Sequence, residues 1–131
     1  MSYDFDALLN VVSILRGENG CPWDKKQNPG SMKKYIAEEA YETIQAIDDN
    51  DSAELCEELG DLLFSCVNVA RLCGKDPEEM LTHATEKFIR RFKAMENLII
   101  SDGKTLEGLT LAEMDVYWSQ VKSAQNCCNA T

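Results

Sequence analysis

Ten carboxylates and no lysine or arginine lie between residues 35 and 70. They are Glu38, Glu39, Glu42, Asp48, Asp49, Asp51, Glu54, Glu57, Glu58 and Asp61. The whole chain has 23 acidic and 13 basic residues, so this stretch carries the entire formal net charge of −10. Like charges held this close repel one another, and a bound cation would offset that repulsion.

The spacing of four of these acids predicts where the cation would bind. Glu39 and Glu42 are three residues apart on a segment with helical periodicity, and Glu58 and Asp61 repeat that spacing on the next one. The short polar turn 48–51 should join the two helices as an antiparallel hairpin, with the two acid pairs facing each other. Four convergent oxygens without Cys or His favour a hard cation such as Mg²⁺ or Mn²⁺.

A solvated acidic surface is the alternative interpretation, because glutamate is a good helix former. Glu58 and Asp61, however, lead into the stretch Leu62–Cys73, which is apolar nearly all round and typical of a helix buried on several sides. Gly60 stands between them, where glycine costs about 1 kcal/mol relative to alanine. We expect a close helix contact there.

The remaining pattern predicts five helices and no strand. They cover residues 4–16, an acidic helix capped by Ser31 and ending at Ile47, a helix from Asp51 to Cys73, and residues 77–97 and 110–123. The fold class is therefore all-α, a helical bundle. We expect one domain over residues 1–124, a disordered tail over 125–131, and partner chains that complete the apolar core.

Three further features could contact a ligand. Lys87, Arg90 and Arg91 share one helix face, which could bind phosphate or pair with nearby glutamates. Trp118 lies on an apolar helical stripe and could pack in the core or flank a base. Trp23, in the Gly/Pro-rich loop 17–30, either staples the loop to the bundle or caps a pocket.

Composition narrows the class of protein. Hydrophobic residues make up 44% of the 131 residues, and we see neither a signal peptide nor an apolar run of about 18 residues that could span a membrane. The acidic balance argues against binding polymeric nucleic acid. Among six cysteines, Cys66 and Cys73 are predicted core residues, Cys127 and Cys128 lie in the tail, and no pattern predicts zinc. We expect a reducing, cytoplasmic location.

Five segments in this order resemble the MazG-type nucleoside triphosphate pyrophosphohydrolases: GCPWDKKQ, YIAEEAYETIQAI, EELGDLLF, EKFIRRF and EMDVYW. The resemblance extends from about residue 8 to 122 and is to a single MazG domain. It implies a four-helix core completed by dimerisation, as a homodimer or a dimer of dimers. It also implies Mg²⁺-dependent hydrolysis of nucleoside triphosphates to monophosphate and pyrophosphate, and a role in cleansing the nucleotide pool.

The resemblance also implies roles for individual residues. Glu39, Glu42, Glu58 and Asp61 match the metal ligands, with Glu39 and Glu38 as catalytic carboxylates. Glu38 would bind a second metal or activate water. Together with Trp23 in its loop, the residues assigned to substrate contacts are Tyr35, Glu38, Glu54, Glu57, Lys87, Arg90, Arg91 and Trp118. The segment Glu54–Glu57 departs from the family because many relatives have a basic residue there.

Two alternatives remain open. The chain could be a dCTP- or dUTP-directed hydrolase or a phosphoribosyl-ATP pyrophosphohydrolase of the same architecture. It could also be a non-catalytic helical module that binds a nucleotide or a partner protein. The intact set of four predicted metal ligands argues against the second alternative.

Overall fold

The computed structural model describes residues 2–129 and contains six α-helices with no strand in that range. The helices are α1 (Phe5–Leu15), α2 (Pro22–Lys26), α3 (Pro29–Asp48), α4 (Ser52–Leu72), α5 (Pro77–Ser101) and α6 (Leu111–Asn129), and a 3₁₀ turn covers Leu106–Gly108. The all-α prediction is confirmed. Within the described residues, no helix is both long enough and apolar enough to cross a bilayer.

Side chains cap the starts of five helices, with Asp76 and Thr110 as the caps of α5 and α6. The Asp4 carboxylate accepts a hydrogen bond from the backbone N–H of Ala7 at 2.9 Å, and that of Asp51 accepts one from Glu54 at 3.1 Å. Helix α3 begins earlier than predicted, because Asn28 is its cap and Ser31 completes a reciprocal capping box. Pro29 explains the earlier start, since its fixed φ suits the first helical position.

Three other boundaries differ from the prediction, and the first is the end of α5, at Ser101 instead of near residue 97. The loop 17–30 contains the one-turn helix α2, which Pro22 begins at its first position. Helix α6 continues to Asn129, into the stretch predicted as a disordered tail, since no Gly or Pro interrupts the sequence after Ser123. The side chains of Cys127 and Cys128 and the last two residues lie outside what the structure describes.

The contacts divide the chain into two compact units, Met1–Met80 and Leu81–Thr131. In the first unit α3 packs along α4, and α1 packs on α4 through Leu9, Val12 and Val67. The second unit has its own apolar core, formed by Met95, Ile99, Tyr117 and Val121. The acidic hairpin is therefore contained in the first unit.

Helix α4 is less buried than its sequence predicts. Val67 and Ala70 are buried, but Leu63 is 57% exposed and Phe64 37%. Cys66 and Cys73, predicted to be core residues, are exposed and free. Only α1 and α3 pack extensively on α4 within the first unit, which leaves part of its apolar surface uncovered.

Gly60 does not make the predicted helix contact. A Cβ atom placed on it would meet no atom within 4 Å among the described residues. It lies instead in an apolar groove of about 440 Å³ between α1 and α4, whose lining includes Phe5, Leu8, Leu63 and Phe64. The absence of a side chain deepens this groove.

Candidate metal centre

Helices α3 and α4 bring three of the four predicted ligands together. Glu39, Glu58 and Asp61 each have a carboxylate oxygen within 4.8 Å of the other two. The helices are held close by a three-residue turn, residues 49–51, with the Asp51 cap at its end. Two consecutive helices are therefore sufficient to assemble a carboxylate triplet, which we define as Glu39, Glu58 and Asp61.

Glu42 lies beside the triplet rather than within it. It is exposed, and its nearby carboxyl group helps to raise the pKa of Glu58. Glu54 also raises the pKa of Glu58. Glu58 is therefore the centre of the acidic cluster, with neighbours from both helices.

Two oxygen atoms of the triplet have no hydrogen-bond donor. Oε2 of Glu39 and Oε2 of Glu58 are buried and have no hydrogen-bond partner among the described residues. Glu58 as a whole is only 8% exposed. Buried hydrogen-bond acceptors normally have a donor, so two buried carboxylate oxygens without one require an explanation. An oxygen-only donor set with open acceptors fits a hard divalent cation.

The protonation of Glu58 reflects the same crowding. Burial raises the pKa of the Glu58 carboxyl from 4.5 to about 8, and the neighbouring carboxyl groups of Glu42 and Glu39 add to the increase. Without a cation, Glu58 therefore carries a proton at neutral pH. A bound cation would favour the ionised form and release that proton.

Thr43 supports the site from one turn further along α3. Its buried hydroxyl donates a 2.7 Å hydrogen bond to the backbone carbonyl of Glu39. The bond satisfies a polar group that would otherwise be buried without a partner beside the carboxylates. Thr43 was not among the predicted site residues, although a threonine four residues after a predicted ligand could have indicated the contact.

The predicted aromatic residue of the loop, Trp23, lies on α2 and packs against α3. The Trp23 ring, 49% exposed, meets the Tyr35 ring edge-on with 5.7 Å between centroids. The Lys34 ammonium lies 5.0 Å from the centroid of the same Tyr35 ring. Trp23 thus contacts α3 and still leaves half of its surface open to a ligand.

The other predicted substrate residues are distributed over both units. Glu38, Glu54 and Glu57 are exposed on the acidic hairpin, and Lys87, Arg90, Arg91 and Trp118 belong to the second unit. Arg91 donates to the Gln125 side chain at 3.3 Å and to that of Asn126 at 3.4 Å. The Trp118 ring is half-buried and lies 5.7 Å from that of Phe88.

Residues 27–95 match the family model described as the MazG nucleotide pyrophosphohydrolase domain. The chain belongs to the MazG family. The matched MazG region contains the carboxylate triplet and the basic residues of α5, but neither Trp23 nor Trp118. The family resemblance inferred from the five sequence segments is therefore confirmed.

Two named proteins are also similar in sequence to this chain. The "Nucleoside triphosphate pyrophosphohydrolase/pyrophosphatase MazG" of Thermotoga maritima is 46% identical over 125 residues, covering 91% of this chain and 47% of that protein. The "Nucleoside triphosphate pyrophosphohydrolase" of Escherichia coli K12 is 45% identical over 87 residues, covering 66% of this chain and 32% of that protein. This MazG chain thus spans less than half the length of either relative.

A solved structure shares the fold. The crystal structure of a mazG-related protein from Thermotoga maritima superposes with a TM-score of 0.60 at 26% sequence identity. The superposition covers 90% of this chain and 98% of that one. The helical architecture is therefore that of a MazG-related protein.

Proposed function

We propose that this chain hydrolyses nucleoside triphosphates to a nucleoside monophosphate and pyrophosphate, with a divalent cation as cofactor. The observation that carries the proposal is the carboxylate triplet, in which two buried oxygens lack a hydrogen-bond donor. Membership of the MazG family supports the same reaction class. Water adds to one phosphorus, and the bond to the departing pyrophosphate breaks.

Glu39, Glu58 and Asp61 would hold the cation, and Glu42 is close enough to Glu58 to complete the set. Mg²⁺ is the proposed ion, with Mn²⁺ as a substitute, because both prefer oxygen ligands. The ion, when bound, neutralises phosphate charge and acidifies water. Glu38, next to Glu39 and exposed, either accepts the proton of the attacking water or binds a second ion.

The remaining residues would bind the substrate. Lys87 and Arg91, with Arg90 beside them, bear the positive charge that stabilises the triphosphate and the departing pyrophosphate. Trp23 and Trp118 each present a partly exposed ring for contact with the nucleoside. Tyr35, Glu54 and Glu57 are proposed as further contacts from the acidic hairpin.

A second copy of the chain is the proposed partner. Leu63 and Phe64, in the groove around Gly60, expose apolar surface that a single chain leaves uncovered within the first unit. We propose a homodimer, or a dimer of dimers, whose formation covers that surface. The proposed role is cleansing of the cytoplasmic nucleotide pool.

Incubation with canonical and modified nucleoside triphosphates and Mg²⁺, followed by chromatography of the products, tests the reaction. We expect monophosphate and pyrophosphate from the wild type and from Asp48→Asn, but not from Glu39→Gln. Asp48 is the matched control, because it is an exposed acid of the same stretch that lies outside the triplet. The substrate panel also distinguishes dCTP, dUTP and phosphoribosyl-ATP.

Three results would contradict the proposal. Release of free phosphate instead of pyrophosphate would place the chain in another reaction class. Equal turnover by Glu39→Gln and the wild type would remove the triplet from the reaction. Binding of a nucleotide without turnover, with Mg²⁺ and with Mn²⁺, would favour the non-catalytic module.

A further inference from the structure

Arg16, at the end of α1, joins three parts of the first unit. Its Nη1 donates to the backbone carbonyl of Asp24 at 2.8 Å and to Oδ1 of Asn68 at 3.3 Å. Its Nη2 donates to the backbone carbonyl of Gln27 at 3.4 Å. One guanidinium group therefore connects the end of α1 to α4, to α2 and to Gln27, the residue that follows α2.

We define residues 20–28 as the Trp23 segment. At its start, Cys21 donates its backbone N–H to the Leu15 carbonyl at 3.0 Å. A Cβ atom on Gly20 would lie 2.1 Å from the same carbonyl oxygen, so the segment is in direct contact with the end of α1. Three sets of hydrogen bonds fix the rest of the segment. They are the Arg16 bonds, the bond from the Lys25 ammonium to the Glu18 carbonyl at 2.9 Å, and the capping-box bonds between Asn28 and Ser31.

The burial of the residues around Arg16 shows that its hydrogen bonds belong to the interior of the first unit. Asn68, which accepts one of them, is 4% exposed, and Asp24 is 8% exposed. Arg16 itself is partly buried, unlike a solvated surface arginine. Asn68 lies on α4, the helix that carries Glu58 and Asp61, so the segment is fixed to the helix of the triplet.

We propose that Arg16 is a positioning residue that holds the Trp23 segment in place and so presents the exposed ring of Trp23 to a nucleotide. The presentation to a nucleotide rests on the proposed function, whereas the ordering of the segment does not. The ring is also supported by its edge-on contact with Tyr35 of α3. Without Arg16, that contact, the Gly20 contact and the bond from Lys25 to the Glu18 carbonyl remain. The Gln27 carbonyl, however, loses its guanidinium donor, and the Asp24 carbonyl keeps only the backbone N–H of Gln27.

Arginine suits this position because one side chain donates to three acceptors. The planar guanidinium has five N–H donors in a fixed fork, and it reaches the Asp24, Gln27 and Asn68 oxygens from one position. A lysine ammonium at the same site would be a single point donor on a flexible chain. Arg16→Lys should therefore keep the positive charge but leave the Trp23 segment only partly ordered.

Fluorescence of Trp23 tests the ordering directly. In a Trp118→Phe background, in which Trp23 is the sole tryptophan, we expect acrylamide to quench Arg16→Met more strongly than the parent and Arg16→Lys to an intermediate degree. Lys26→Met is the matched control from the same segment, since Lys26 is exposed and donates no hydrogen bond within residues 2–129. It should match the parent.

Hydrogen exchange separates positioning from general stability. In Arg16→Met, amides of residues 20–28 should exchange about tenfold faster or more, as loss of charged hydrogen bonds implies, while those of α3 and α4 keep their protection. Unchanged quenching of Trp23 would overturn the proposal. Faster exchange throughout the first unit would also overturn it, because Arg16 would then be a general stabilising residue.

Nucleotide kinetics test whether the Trp23 ring is presented to a nucleotide. The KM for the nucleotide should rise in Arg16→Met, with kcat close to that of the Lys26→Met control, because a displaced Trp23 weakens binding and leaves the triplet intact. A fall in kcat alone would overturn the presentation of Trp23. Absence of turnover in the wild type would instead contradict the proposed function, and quenching and exchange would still decide whether Arg16 orders the segment.

Discussion

Glu58 shows how much of the site follows from the identity and spacing of single residues. The repeated three-residue spacing of acids on two neighbouring helices predicted a cluster, and Glu39, Glu58 and Asp61 do meet. The burial of Glu58 was not predictable, because it depends on how the two helices are rotated against each other. The bond from Thr43 to Glu39 lies within α3, and its four-residue spacing could have indicated it. Periodicity defines a face, but tertiary packing decides which of its residues are buried.

Removal of single carboxylates should abolish turnover without unfolding the chain. We expect Glu39→Gln and Asp61→Asn each to retain less than about a tenth of the wild-type rate, because each loses an anionic ligand of the cation. Circular dichroism should show the helical content of the wild type. If both variants kept more than a tenth of the activity, the ligand assignment would be wrong.

The raised pKa of Glu58 predicts a pH-dependent stability in the absence of divalent cations. The unfolded chain loses the Glu58 proton near pH 4.5, whereas the folded chain retains it up to about pH 8. The folded state therefore binds more protons in this interval, so its stability falls as the pH rises from 4.5 to 8. Thermal unfolding in a chelator should show a decreasing Tm over this range.

Two controls isolate the contribution of Glu58. Glu58→Gln cannot titrate and should show a shallower decrease in Tm than the wild type. Mg²⁺ should raise the Tm of the wild type most at the high-pH end, where it competes with fewer protons, and should leave Glu58→Gln largely unaffected. A wild-type Tm that rises between pH 4.5 and 8, relative to Glu58→Gln, would refute the sign of this pKa shift.

Among the elements, three helices end in the same way. Asn50, Gly74 and Gly103 follow α3, α4 and α5 with φ values of 54°, 67° and 72°. In each case the next residue donates its N–H five residues back, as in Lys75 to Ala70 at 3.0 Å. This is the Schellman motif, in which a left-handed residue after the helix satisfies its last carbonyls.

The sequence indicated where helices begin better than where they end, and it indicated helix burial poorly. The Asp76–Pro77 pair correctly predicted the start of α5, since that signal is local, whereas the helix ends at Ser101 and not near residue 97 as predicted. The predicted burial of Cys66 and Cys73 was wrong, because hydrophobic composition does not identify which neighbour covers a helix. One chain covers only part of α4.

Two glycine variants should therefore shift stability in opposite directions. Gly74→Ala forces a Cβ into the left-handed region and should lower the free energy of unfolding by about 1 kcal/mol. Gly60→Ala adds a better helix former where no atom lies within 4 Å and should raise it by up to about 1 kcal/mol in the monomer. Urea unfolding at low protein concentration measures both, and a stabilised Gly74→Ala would contradict the motif.

At the scale of the whole molecule, exposed apolar residues and the acidic stretch are the dominant surface features. Leu63 and Phe64 are exposed beside Gly60, although helix α4 is among the most apolar in sequence. The prediction that partner chains complete the core came from this composition. It remains a prediction, because an uncovered surface in one chain does not identify its partner.

A substitution in the groove around Gly60 tests whether a second copy of the chain is the partner. Leu63→Lys should reduce the mass measured by light scattering to that of one chain, because a buried charge at the proposed interface is unfavourable. Leu111→Lys is the matched control, since Leu111 is 79% exposed and does not line the groove. An unchanged oligomer in Leu63→Lys, or a wild-type monomer, would contradict docking of a second copy in the groove.

The short turn between α3 and α4 also has a kinetic consequence. Only residues 49–51 separate the two helices that supply the whole carboxylate triplet, so bringing its oxygens together requires closure of a very short loop. Contacts between neighbours in sequence form early, because little chain entropy is lost. The acidic hairpin can therefore assemble before the rest of the chain, and a cation present during synthesis would relieve its charge repulsion from the first stages of folding.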